Sequence, residues 1–218
     1  MLIRETYEAE LDSIREALMR LSRMAEVSVQ ESVRILKNRL FEEGEKLIQG
    51  DKVINRKCFE IEEACLNIIA TQQPVAGDLR FIFAAMQIAM ELERIADYAK
   101  GIAAINIRIS PGEHVKPLID IPRMSEKACE MLRKAIDAFL SRDIVAVEEI
   151  PPMDVEIDLL YEQVYRELLT HVIQKPEIIN DAMMLTFVAH NLERVGDRVV
   201  NICERVVYLC TGAVVDLG

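Results

Sequence analysis

The sequence predicts an all-α protein built as two tandem three-helix bundles, six long helices in all, from an internal duplication. Three observations carry this. Only eight Gly and seven Pro punctuate 218 residues, while 51% of the side chains are hydrophobic and 29% charged, the balance of a helical bundle with an ample core and a solvated surface. Apolar residues recur at helical rather than alternating spacing. The chain also repeats itself. Leu92-Glu93-Arg94-Ile95-Ala96-Asp97 returns one hundred residues later as Leu192-Glu193-Arg194-Val195-Gly196-Asp197, and Arg23-Met24 returns as Arg123-Met124. Asp51-Lys52-Val53-Ile54-Asn55 has a counterpart in Asp154-Val155-Glu156-Ile157-Asp158. Matches in the same order at near-constant offset mark a duplication. The first repeat is residues 1–110, a linker follows at 111–119, and the second repeat is 120–218.

From about Thr6 to Leu40, the residues Leu11, Ile14, Leu18, Leu21, Ala25, Val29, Val33 and Leu36 keep helical spacing. Glu43-Gly44 reads as the first break, and Glu45 to Gln72 as the second helix. Gln72 to Asp78 is a turn containing Pro74 and Gly77, with Asp78 as N-cap of a third helix from Leu79 to about Ile107. Ser110-Pro111-Gly112 opens the linker. The fourth helix spans about Ile121 to Leu140, and Ser141-Arg142-Asp143 caps the fifth. Pro151-Pro152 interrupts that helix, because proline removes a backbone donor and disfavours helix at the residue before it. It restarts at Asp154, with Pro152 tolerated in the first turn, and runs to Gln174. After Lys175-Pro176-Glu177 the sixth helix runs to about Cys210. Short connections make neighbours antiparallel.

The net charge is −11, a field that opposes nucleic acid and anionic lipid and favours cations or a basic partner surface. The longest apolar run, Phe81 to Met90, is too short to span a bilayer, so no membrane insertion is expected. The five cysteines form no Cys-x-x-Cys. Cys58/Cys65 and Cys203/Cys210 stand two helical turns apart, too far to bridge, and read as buried reduced thiols. With an N-terminus that is acidic rather than signal-like, the expected location is the cytoplasm.

The chemistry lies in the acids. Glu93/Asp97 and Glu193/Asp197 are each four residues apart, so each pair shares a helix face. On that face such a pair needs a counter-charge: an arginine, a proton or a metal ion. Antiparallel packing brings Asp51/Asn55 toward Glu93/Asp97, and Asp154/Asp158 toward Glu193/Asp197. Oxygen-rich clusters of this kind suit Mg, Mn, Ca, or iron and zinc through carboxylates. The bland alternative is acids solvated or paired to Arg94, Arg194 and Arg80. Taking Glu193 as origin, at roughly 100° per residue, Asp197 falls near 40°, His190 near 60° and Asn201 near 80°. His190 is thus an extra ligand candidate and Asn201 a further one. In the first half Met90 and Gly101 stand at the matching places, and Lys100 is within reach of Glu93 as a competing cation. His114 and His171 read as ordinary surface or capping residues. No phosphate loop, Ser/His/Asp order or Glu-x-x-His motif is present.

Gln73-Pro74-Val75-Ala76-Gly77-Asp78-Leu79-Arg80, Leu92-Glu93-Arg94-Ile95-Ala96-Asp97, Leu192-Glu193-Arg194-Val195-Gly196-Asp197 and Asn201-Ile202 together resemble the PhoU family, over nearly the whole chain. The resemblance implies two three-helix repeats and metal clusters held by Glu/Asp-x-x-x-Asp pairs, with iron or zinc, or Mg or Mn, as the ion. It further implies homodimers and a non-enzymatic role: restraint of phosphate import and phosphate-starvation signalling, through the Pst transporter ATPase and a phosphate sensor histidine kinase. The chain departs from the family's usual residues at Asn55, Ala96, Gly101 and the Pro151-Pro152 pair. Fewer anionic donors in the first half predict weaker metal binding there. Two other readings compete: a carboxylate-bridged metalloenzyme in a helical bundle, and an adaptor whose acids are merely solvated.

Overall fold

A computed structural model describes residues 2–218, with side chains from Tyr7 onward. The described residues form helices and connections with no strand. The helices are α1 (Leu2–Asn38), α2 (Phe41–Gln72), α3 (Ala76–Arg108), α4 (Asp120–Ser141), a short α5 (Ile144–Glu148), α6 (Pro151–Gln174) and α7 (Ile179–Thr211), with a 3-10 turn at Pro176–Ile178 before α7. Six are long, as the periodicity predicts.

Three expected boundaries are corrected. Gly44 is not a break. The chain turns at Arg39, which adopts a left-handed φ of 54°, and α2 begins at Phe41 with Gly44 buried inside it. A Cβ at residue 44 would stand 3.5 Å from Ala103 O and from Asn106 Nδ2. The glycine therefore serves close approach of α2 to α3 rather than a stop. The fifth helix is interrupted as expected, into two separate helices, but its restart lies earlier than Asp154. Asp143 caps α5, its Oδ1 accepting from the backbone N–H of Val145 (2.9 Å) and Ala146 (3.2 Å). The chain turns at Glu149-Ile150, and α6 starts at Pro151, three residues before Asp154, with proline in the first turn where its missing N–H costs nothing. Asp78 is not an N-cap: α3 begins at Ala76 and Asp78 lies in its first turn, where a negative charge complements the helix dipole.

One hydrophobic core runs through both halves, and Leu18, Leu21, Ile88, Leu92, Ala128, Leu185, Leu192 and Val195 are all buried within it. α3 and α7 pack against each other at its centre. Gly101 of α3 faces Asn191 of α7, since a Cβ at residue 101 would stand 3.1 Å from Asn191 Nδ2. Ten residues earlier on α3, Glu91 Oε2 accepts from Asn201 Nδ2 at 3.4 Å, ten residues later on α7. The two helices are therefore antiparallel. α1 and α4 form a second contact between halves, tied by an ion pair of Arg133 with Glu26. Phe81 of α3 and Phe139 of α4 stack at 5.7 Å. α2 packs on α1 and α3, and α6 on α4 and α7, so the acid-bearing seams α2–α3 and α6–α7 flank the central pair.

The linker is pinned. Arg39 donates to Ser110 O at 2.7 Å and to His114 Nδ1 at 3.1 Å, while His114 Nε2 donates to Leu36 O at 3.0 Å. His114 is thus a half-buried clamp rather than an ordinary surface residue. Burial, then the Arg39 charge, lowers its pKa below the usual histidine value. Lys116, buried, pairs with Glu167 of α6 and lies 3.4 Å from Asp120. All five cysteines are free, and Cys58, Cys65, Cys129 and Cys203 are buried. Among the described residues, no helix is long and apolar enough to cross a membrane.

Candidate metal centres

The two seams hold the same acids in two different electrostatic arrangements. In the second half, Asp154 of α6 lies against α7 at Gly196. A Cβ there would fall inside van der Waals distance of Asp154 Oδ1, 3.3 Å from Asp154 Cγ and 3.4 Å from Ile157 Cδ1. Glycine at 196 is what admits this carboxylate. Its Oδ1 is buried with no hydrogen-bond partner. Burial, followed by the charges of Asp158, Asp197 and Glu193, raises Asp154 from the ordinary aspartate range to about 7. Asp158 is raised by burial and by Asp197, and Glu193 by burial against the opposing charge of Arg194. Four carboxylates therefore share one neighbourhood.

Their counter-charge is partial. Arg194 lies 2.7 Å from Asp197 Oδ2 and its Nη2 donates to Glu193 Oε1 at 3.0 Å. Arg194 Nε stands 2.9 Å from Glu193 Oε2, yet both atoms lack a hydrogen bond, so that approach is an ion-pair contact with poor angles. These contacts stay on α7. His190 joins the group, with Nδ1 3.2 Å from Glu193 Oε2 and its ring 6.2 Å from that of Tyr161. Asn201 does not: with Arg198 it faces Glu91 of α3, on the central interface. As the side chains stand, no three His, Cys, Asp or Glu residues among those described converge on one point in ligating geometry.

In the first half, Lys100 closes the seam. Its Nζ donates to Asp51 Oδ2 of α2 at 2.8 Å and to Asp97 Oδ1 of α3 at 2.9 Å. Lys100 therefore pairs with Asp51 and Asp97 rather than with Glu93. Those two hydrogen bonds hold its ammonium well above the ordinary lysine value. Glu93 is raised by burial, then by Asp97 and Asp51, so the three acids are neighbours. Asn55 is exposed and adds no charge. Ala96 stands where the second half has Gly196.

The PhoU domain family model matches twice, at residues 18–105 and 121–206. The chain belongs to the PhoU family. Over 218 residues it is 33% identical to the "Phosphate-specific transport system accessory protein PhoU homolog" of Clostridium acetobutylicum, covering 100% of each chain. It is 32% identical over 206 residues to the "Phosphate-specific transport system accessory protein PhoU" of Escherichia coli, 94% of this chain and 86% of that one. The crystal structure of PhoU from Pseudomonas aeruginosa superposes with a TM-score of 0.89 at 29% identity, covering 95% of this chain and 100% of that one. The phosphate transport system regulatory protein PhoU from Streptococcus pneumoniae gives 0.89 at 27% identity over 96% and 99% of the two chains.

Sequence reasoning missed the Lys100 bridge, the Glu91–Arg198–Asn201 group and the role of Gly196. The first two depend on which residues of neighbouring helices meet. Gly196 carried a signal, since it replaces Ala96 in a repeat that otherwise differs only by Ile95 against Val195.

Proposed function

We propose that this chain is a non-enzymatic regulator of phosphate uptake, restraining a phosphate-specific transporter and phosphate-starvation signalling when phosphate is plentiful. It does so by reversible contact with the transporter ATPase and a sensor histidine kinase, as a homodimer in the cytoplasm. The end-to-end match to relatives named as accessory proteins of phosphate-specific transport carries this reading. A net charge of −11 suits basic partner surfaces rather than nucleic acid.

The second acid cluster fits a hard or borderline cation in donor type and charge: Asp154, Asp158, Glu193 and Asp197 supply carboxylate oxygens, Asp154 Oδ1 is unpartnered, and His190 stands beside Glu193. A bound ion would supply the counter-charge that lets all four acids ionise together. The chain's own part is to present those oxygens from two facing helices, with Arg194 holding Glu193 and Asp197 on one of them.

The test is affinity capture of the tagged chain from its native cells grown with ample phosphate. Transporter ATPase and sensor kinase are expected in the eluate. Their absence, together with turnover of phosphate esters or oxygen by metal-loaded protein, would favour the metalloenzyme instead.

A further inference from the structure

We infer that Lys100 is the resident cation of the first acid cluster, so that the α2–α3 seam is closed by the chain itself and only the α6–α7 seam is open to a metal ion. This rests on the metal reading of the family for the second half and departs from it for the first.

The first half does not fit a metal. Asp51 is 5% exposed, and a carboxylate so buried is stable only when paired. Its partner is already there: Lys100 Nζ bridges Asp51 on α2 and Asp97 on α3 at 2.8 and 2.9 Å. The ammonium thus occupies the side of the cluster from which an ion would draw its ligands, one from each helix. A divalent ion would have to expel a cation bonded to both, and would then gain only Asp51, Glu93 and Asp97, since Asn55 brings no charge.

Asp51 Oδ1, like Asp154 Oδ1, is buried without a hydrogen-bond partner, but the second half differs in what spans its seam. At the position matching Lys100 it has Val200, 4% exposed and part of the core, so no side chain from that place can cross the seam. Asp158 replaces Asn55, and Gly196 replaces Ala96. Arg194 pairs with Glu193 and Asp197 along α7 but forms no hydrogen bond or ion pair with Asp154, whose Oδ1 stays buried and unpaired. Arg94, its counterpart, turns from the first cluster toward Glu91, at 3.7 Å. One half therefore has an ion-pair clamp bonded across its seam, and in the other Arg194 acts on Asp154 and Asp158 through space without bonding to either. Cation binding then tightens α6 onto α7 and leaves α2 and α3 as they were.

The test uses the full chain and manganese(II) alone as probe, with metal counted after dialysis against a weak chelator. Wild type is compared with Lys100→Met, Lys100→Arg and Glu193→Ala/Asp197→Ala, each checked for helicity. Lys100→Met is expected to retain an additional equivalent of manganese over wild type, Lys100→Arg none, and Glu193→Ala/Asp197→Ala to lose most of what wild type holds. Wild type that holds no manganese would remove the metal from the proposed function and overturn the open α6–α7 seam. No gain in Lys100→Met, or full retention in Glu193→Ala/Asp197→Ala, overturns it. Should Lys100→Met fail to fold, hydrogen exchange of wild type decides. Protection around Asp51 that is the same with manganese and with chelator supports the clamp, and protection that changes there overturns it.

Discussion

Asp154 of α6 occupies the space that a side chain on residue 196 of α7 would need, and glycine is the residue there. Substituting alanine sets two effects against each other. Alanine is favoured over glycine inside a helix by about 1 kcal/mol, while forcing atoms into filled space costs about 1–3 kcal/mol. The obstructing atom ends a short side chain that can turn away, so the two nearly cancel. Gly196→Ala is expected to fold with stability within about 1 kcal/mol of wild type in urea unfolding, but to hold divalent metal about tenfold less tightly or worse. Unchanged metal affinity would remove Asp154 from the ligand set.

His114 gives a pH signature. Its folded pKa lies below its unfolded value of about 6.5, so the unfolded state binds more protons in the window below that value. Stability then rises with pH there, is complete above about 6.5 and is lost as pH falls. Protonation would place a charge beside Arg39, 3.1 Å from Nδ1. Melting temperatures of wild type and His114→Gln between about pH 5 and 7 should converge toward the acid end. Parallel curves would show that the clamp does not titrate.

The thiols should separate by reactivity. Burial pushes Cys58, Cys65, Cys129 and Cys203 up to about 12, whereas Cys210 is only partly buried. Since the thiolate is the nucleophile, native protein treated with iodoacetamide at mildly alkaline pH should be alkylated first at Cys210. The other four should react only on unfolding. Early modification of Cys65 would contradict the packing of α2.

The helices were legible because they rest on local spacing: Leu11 to Leu36 traces one face. The duplication was legible because it is written in order along the chain, and it led directly to Glu93/Asp97 and Glu193/Asp197. Gly44 was misread because a glycine that ends a helix and one that lets two helices touch look alike in sequence. Asn201, near 80° from Glu193, lay at the edge of two faces, and only the crossing of α3 and α7 sends it to Glu91. Lys100 was read as a partner of Glu93 on its own helix, because its bond to Asp51 joins α3 to α2 and is fixed by tertiary register alone.

The most direct test of the account is phosphate uptake in the native host with ample phosphate, measured in the parent, in a strain lacking this chain, and in that strain with the chain restored. Uptake is expected to stay high in the deletion strain and return to the parent's level on restoration. Uptake in the deletion strain equal to the parent's would contradict it.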